Sequence, residues 1–364
     1  LDLASAHSLR AFGDRLFLVD EGVLYEIASD FTKIPIDDGL GNAPLSYTEA
    51  AGTLFYSNEV KNGAVGGFWG VAVPSSPYLS PAAGTLSAGR YLVAVTAVRA
   101  GVESGARVPS VEALNAPGGF MLDVAGIDLA ANSLEVYCSE PNGQELYWAG
   151  SFAPTSPLHL QAIKQSTQPL KNLNLAPPPL GQRIGLFRGR MLVAAGAVLY
   201  WSQPLAYHHF RLQTDVQLFE DRIVLLAPLA EGFFIATPSR TYWVTGAEPS
   251  QWQPRLVDTR RVAEGEALKI PAQQLPGLQT QGEVCVWATE DGFVAGAGDG
   301  SVHHITASRL AVDAYKHAAL MYRQQDTFRQ VLLSLQTKEA DTRFGATDRV
   351  TCRVIRANEN VGEP

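Results

Sequence analysis

Cysteine is nearly absent from this chain. Cys138, Cys285 and Cys352 are the only three among 364 residues, odd in number, far apart and without CxxC spacing. This argues against a disulfide framework or a thiolate zinc site and leaves reduced thiols. Charge is sparse as well, with Asp, Glu, Lys and Arg together at 18%. The 28 Lys and Arg are outnumbered by 36 Asp and Glu, for a net charge of −8. That balance argues against a nucleic-acid binder, which neutralises phosphates with clustered cations, but not against a surface that nucleic acid slides past. No apolar run reaches the roughly 18 residues of a membrane-spanning helix, so no membrane insertion is expected. G-x-S-x-G, H-E-x-x-H and Walker-loop motifs are all missing, so no catalytic residue, cofactor or metal is assigned and the chain is not expected to be an enzyme.

What is plentiful is apolar residues (46%), Gly (33) and Pro (22). With so little charge, this composition favours an all-β chain of short strands and many turns. The segment RGRMLVAAGAVLYWSQPLAYHHF (188–210) has two apolar runs, Met191 to Ala195 and Ala197 to Trp201, parted by Gly196. Similar pairs occur at 14–27 (turn at Asp20–Gly22), 52–73, 231–246 (turn at Thr237–Arg240) and 290–306 (turn at Gly298–Gly300). Two short runs about a Gly/Asp/Asn/Ser/Pro turn predict a β-hairpin. Flanking runs such as SLRAFG, RIGLFRG, RIVLLAPLA and EVCVWATE extend each hairpin to a meander of three or four strands, recurring about every 40 residues. Five such units are expected, and residues 318–336 suggest a sixth. Repeated meanders predict a β-propeller-like ring; a two-sheet sandwich and a β-solenoid remain open. Ring geometry suggests that the N-terminal strands complete a blade begun at the C-terminus.

The repeat is interrupted. Pro-rich stretches near 74–84 and at 174–181 bracket alternating segments at 85–114 and 132–152. The expected organisation is therefore residues 1–77 and 161–345 as two parts of the propeller-like region, 78–160 as an inserted β-sandwich, and 346–364 as a polar tail or partner-binding arm. Residues 307–325 have some helical periodicity but are expected as strand and loop.

Residues that carry chemistry elsewhere have plainer readings here. His208–His209 and His303–His304 are adjacent pairs, and neighbours in a strand face opposite sides, so one pair cannot easily give two ligands to one ion. Asp20, Glu21, Glu231 and Asp291 could serve glycoside hydrolysis only as a pair about 5–9 Å apart; beside Gly, they read as solvated turn residues. The Gly-rich 296–300 lies between strands and reads as a turn. Trp69, Trp148, Trp201, Trp243, Trp252 and Trp287 read as strand core, and a sugar-stacking platform would need several exposed on one face. The densest cationic stretch, Arg255 to Arg261, is expected in a loop.

Three segments carry a resemblance: RIGLFRGRMLVAAGAVLYWSQPLAYHHF, then IVLLAPLAEGFFIATPSRTYWVTGAEPSQW, then VWATEDGFVAGAGDGSVHHIT. In this order, and counting 1–75 with 181–340, the chain resembles the tail nozzle or hub (tail tube) proteins of short-tailed bacteriophages. The stretch GRYLVAVTAV…GVESGA…PS resembles the middle strands of fibronectin type III or immunoglobulin-like domains. The first resemblance implies a structural protein of the virion tail: a homo-oligomeric ring, a hexamer by that resemblance, contacting other tail, portal or adaptor proteins and giving DNA a conduit during ejection. No site residue carries over. A carbohydrate-binding or glycoside-hydrolase propeller and a generic interaction scaffold are the alternatives.

Overall fold

The computed structural model describes residues 3–164, 166–275, 278, 280–306, 315–325, 328–337 and 351–356. Among them the fold is all-β, a propeller-like set of antiparallel meanders with an inserted β-sandwich. Among the described residues helix is confined to 3-10 turns at Pro249–Gln251 and Ala272–Gln274. The chain divides into two compact units. One holds 1–65, 180–200 and 217–364; the other holds 66–179 and 201–216. The division thus falls at 66 and 179 rather than at 78 and 160, and the second unit also takes 201–216 from the repeat region.

The first unit begins with a four-stranded sheet of β1 (His7–Phe12), β2 (Arg15–Asp20), β3 (Val23–Ile27) and β4 (Lys33–Asp37). A second sheet follows with β5 (Ser46–Ala50), β6 (Thr53–Ser57) and β7 (Asn62–Ala64). Here the predicted 52–73 hairpin is corrected: β6 pairs with the short β7, and Phe68 to Val73 form no strand. Tight turns set the register. Glu21–Gly22, Ala51–Gly52 and Arg188–Gly189 each place two successive residues at positive φ, the requirement of a type I′ hairpin, and Gly takes the second position without steric cost.

The second unit is a sandwich. Its strands are β8 (Tyr78–Leu86), β9 (Gly89–Arg99), β10 (Val102–Glu103), β11 (Ser110–Leu114), β12 (Gly118–Asp123), β13 (Ser133–Cys138), β14 (Tyr147–Phe152) and β15 (Leu158–Leu160). One sheet has the order β10-β9-β13-β14 with β11 also on β9; the other is β15-β12-β8. Their inward residues, among them Tyr91, Val93, Val95, Phe120, Leu122, Leu134 and Val136, form one core. Alternation along β9 and β13 sends every second side chain into it.

The first unit resumes with β16 (Arg183–Phe187), β17 (Arg190–Ala195) and β18 (Val198–Gln203), the third sheet. Residues 188–210 are therefore the middle of one repeat. The end of β18 passes into the second unit, where Ser202 pairs with Phe210 of β19 (Ala206–Phe210); β20 (Val216–Leu218) leads back. The fourth sheet is β21 (Leu225–Pro228), β22 (Gly232–Thr237), β23 (Arg240–Thr245) and β24 (Arg255–Asp258). After β25 (Glu264–Gly265), the fifth is β26 (Leu268–Pro271), β27 (Glu283–Thr289), β28 (Gly292–Gly296) and β29 (Val302–His304). The sixth joins β25 to β30 (Tyr315–Gln325), β31 (Phe328–Thr337) and β32 (Thr351–Arg356).

Two expectations change at this end. The sixth sheet is completed by β25 through a parallel pairing, Glu264 opposite His317, and not by the N-terminal strands, which form their own sheet. The expected tail 346–364 contains strand β32, paired along β31; its remaining residues lie outside the described ones, as do 307–314.

Neighbouring sheets of the first unit pack face to face. Phe17, Val19 and Leu24 meet Leu45, Tyr47 and Leu54 between the first and second sheets. Phe187 of the third stacks edge-on against Phe233 of the fourth, centroids 5.3 Å apart. Phe234 and Trp243 of the fourth share a core with Trp287 and Val294 of the fifth. Ile270, Val284 and Val286 of the fifth share one with Ala318 and Leu333 of the sixth. Each large side chain so buried contributes about 1.5–3 kcal/mol. Gly296 permits the close approach, since a Cβ there would lie 2.4 Å from the Phe234 ring.

Candidate functional site

In the first unit, the opening strands of successive sheets converge. Ser8 of β1 accepts the Leu45 amide at 2.8 Å through its Oγ and the Tyr47 hydroxyl at 3.0 Å through its carbonyl. The Ser46 hydroxyl of β5 accepts the Ile184 amide of β16 at 3.1 Å. Arg183 Nε donates to the Val224 carbonyl at 3.0 Å, and the Gly265 amide reaches the same carbonyl.

An ionic network forms at this convergence. Arg183 is buried and lies 3.4 Å from Glu264, while its Nη1 donates to the Gln182 carbonyl. Arg222 donates to Glu264 at 2.9 Å and to Glu59 at 2.6 Å. Glu266 accepts the Tyr47 amide at 2.7 Å, with Arg10 at 3.9 Å. His317 Nδ1 lies 3.7 Å from Glu264. Burial lowers the Arg183 pKa from its ordinary value, opposed by Glu264 and then Glu266. Burial also pulls on Arg222, but its hydrogen bond to Glu264 and the nearby carboxylates outweigh this and raise it. Arg183, Arg222, Glu264 and Glu266 link separate strand starts of the first unit to one another.

These residues were not singled out from the sequence, although a signal existed. Arg183 and Arg222 both open an Arg-Ile-x-Leu run, RIGL and RIVL. Arg183 opens β16 and Arg222 lies three residues before β21, so in a chain so poor in charge a cation near a strand start was that signal.

The residues that were singled out lie elsewhere. Asp20 is buried and accepts the Ser5 amide at 2.8 Å and Lys33 Nζ at 2.9 Å. Those two bonds, the backbone one first, hold its carboxyl below the usual range. It is thus a fold-holding residue and not the solvated turn residue expected. Glu21 is exposed in its turn, Glu231 lies 3.8 Å from Arg188, and Asp291 accepts Arg260 Nε at 2.6 Å. His208 Nδ1 accepts the Gly70 amide at 3.0 Å, and His209 bonds the Glu103 carbonyl at 2.7 Å, both within the second unit. His303 bonds Ser301 at 3.0 Å and His304 bonds Arg260 at 2.8 Å, within the first. Among the described residues no group of three or more His, Cys, Asp and Glu side chains is placed to hold a metal ion.

Of the tryptophans, Trp69, Trp201, Trp243, Trp252 and Trp287 are buried. Trp148 is half-buried, its indole N–H bonded to Glu135 at 2.7 Å. Residues 296–300 form a turn between β28 and β29, closed by the Ala297 and Gly300 amides. The Arg255 to Arg261 stretch is corrected in part: its first half is strand β24, and Arg260 is paired with Asp258 and Asp291. Burial raises the thiols of Cys138 and Cys285 to about 12. Such thiols are inert.

No family model matches the chain, and no curated protein matches it. Among solved structures it is similar to the AfRom2 CNH domain, at 8% identity over 92% of this chain and 91% of that one, with a TM-score of 0.27. It is also similar to Sqt1 from Chaetomium thermophilum, at 10% identity over 90% of this chain and 77% of that one, with a TM-score of 0.30.

Proposed function

We propose that this chain is a structural, non-enzymatic protein of a phage virion: a ring-forming nozzle or adaptor of a short tail that gives DNA a conduit. One observation supports the structural role above others. Side chains that could do chemistry are spent on holding the scaffold: Asp20 on the N-terminal segment, Asp291 and His304 on Arg260, His208 and His209 on backbone groups. The tail assignment rests on the hairpin order in 181–306. The acidic balance supports a conduit, because a net charge of −8 disfavours retention of a polyanion. The ring is built from copies of this chain with head-to-tail contacts, which close when the rotation closes.

Two measurements on purified protein test this reading. Native mass spectrometry is expected to give a closed oligomer, a hexamer, and duplex DNA is expected to bind weakly at physiological salt. A monomer with specific affinity for oligosaccharides would replace the reading with a carbohydrate-binding one; a monomer that binds other proteins would make it a scaffold.

A further inference from the structure

A second polar cluster, apart from the strand-start network, joins the fourth and fifth sheets. Asp258 ends β24 and is buried, with 7% of its surface exposed. Its Oδ1 accepts the Thr259 amide at 2.8 Å, the Arg260 amide at 3.2 Å and Arg260 Nη1 at 3.1 Å. Its Oδ2 is buried with no hydrogen-bond partner in the protein. His304 Nε2 on β29 lies 3.6 Å from it. That nitrogen is engaged elsewhere, at 2.8 Å from Arg260 Nη1. A guanidinium only donates, so His304 Nε2 accepts, and the neutral ring carries its proton on Nδ1. Nδ1 is itself buried and without a partner. Arg260 also donates from Nε to Asp291 in the β27–β28 turn at 2.6 Å. One guanidinium thus spans the end of the fourth sheet and two points of the fifth.

We propose that His304 is a proton-operated latch between these two sheets. A proton taken from solvent onto Nε2 ends its acceptance from Arg260 and makes it a donor. The unpaired Asp258 Oδ2, 3.6 Å away, is then an acceptor within reach by a small ring shift. Arg260 Nη1 loses an acceptor and faces a like charge, so β29 passes from Arg260 to Asp258, while the loop that carries Arg260 keeps only its bonds to Asp258 and Asp291. The groups facing the ring are Asp258 and Arg260 from the connection after β24, Asp291 from the β27–β28 turn and His303 on its own strand. Burial lowers the His304 pKa from its ordinary value, with Asp258 opposing. The Arg260–His304 bond is therefore closed at neutral pH and opens as pH falls below the ordinary histidine range. The same loops are joined by backbone bonds that report on opening, Glu290 amide to Arg261 carbonyl at 3.0 Å and Ala263 amide to Ala288 carbonyl at 3.0 Å.

The test combines two measurements on the whole chain. Nitrogen-detected NMR of the histidine rings at pH 7.5 is expected to show His304 as the Nδ1–H tautomer. Amide exchange over 259–263 and 289–291, corrected for intrinsic rate, is expected to quicken between pH 7 and pH 5. His304→Gln, whose side-chain carbonyl accepts from Arg260 without titrating, is expected to abolish that acceleration, and His303→Gln to retain it. An Nε2–H tautomer in the unmodified chain overturns the proposal, even if the variants fail to fold. Equal acceleration in His304→Gln also overturns it.

Discussion

The carboxylate of Glu266 accepts the backbone amide of Tyr47 at 2.7 Å, across 219 positions of sequence. It ties the start of the second sheet to the connection between the fourth and fifth. Removing the carboxylate leaves an amide without its acceptor, at a cost of about 1–3 kcal/mol. Glu266→Ala is expected to lose stability in that range, read as a lower urea midpoint with an unchanged slope.

Glu264 carries more. It faces buried Arg183 at 3.4 Å and Arg222 at 2.9 Å. Glu264→Gln leaves the Arg183 charge buried with its nearest carboxylate gone, a loss of about 3–5 kcal/mol. Adding Arg183→Met removes that stranded charge, so the double variant is expected to recover part of the loss. A double variant as unstable as the sum of the two single ones would deny that the residues are coupled.

Acid is expected to act through Asp20. Its folded pKa lies below the unfolded one, so its contribution is fully present above about 3.9 and is lost as pH falls through the folded value. Asp20→Asn is expected to be less stable at pH 7 and to show a flatter decline in stability below about pH 4. Urea unfolding of both proteins from pH 7 to pH 3 checks this.

Gly300 is held at φ +79°, and a Cβ there would lie 2.4 Å from Cδ1 of buried Trp243. Gly300→Ala combines backbone strain with overpacking and is expected to cost about 1–3 kcal/mol. Thermal unfolding compared with Gly298→Ala, where the nearest atom is 4.0 Å away, separates the local clash from a general effect of losing glycine.

The hairpins were legible because their signal is local. Asp20-Glu21-Gly22 and the lone Gly196 announce tight turns, and the runs beside them have strand composition. The parallel pairing of β25 with β30 was not legible, since Gly265 and Ala318 carry no mark of each other across 53 positions. The short β7 was missed because Asn62–Ala64 has turn composition, and only its pairing with Phe55 and Tyr56 makes it a strand. The boundary of the second unit at Gly66 has the same cause: Phe68 and Trp69 look like blade residues, yet Trp69 donates to the Tyr207 carbonyl at 2.7 Å within the sandwich unit. At the site, individual charges could be read but not their meeting, because Arg10, Glu59, Arg183 and Arg222 come from segments far from Glu264 and Glu266.

The most direct test of the structural-ring account is the particle itself. Purified protein at micromolar concentration, examined by native mass spectrometry and negative-stain electron microscopy at physiological salt, is expected to form closed rings of one copy number. A protein that stays monomeric at every concentration, or that binds duplex DNA tightly with a steep salt dependence, would contradict it.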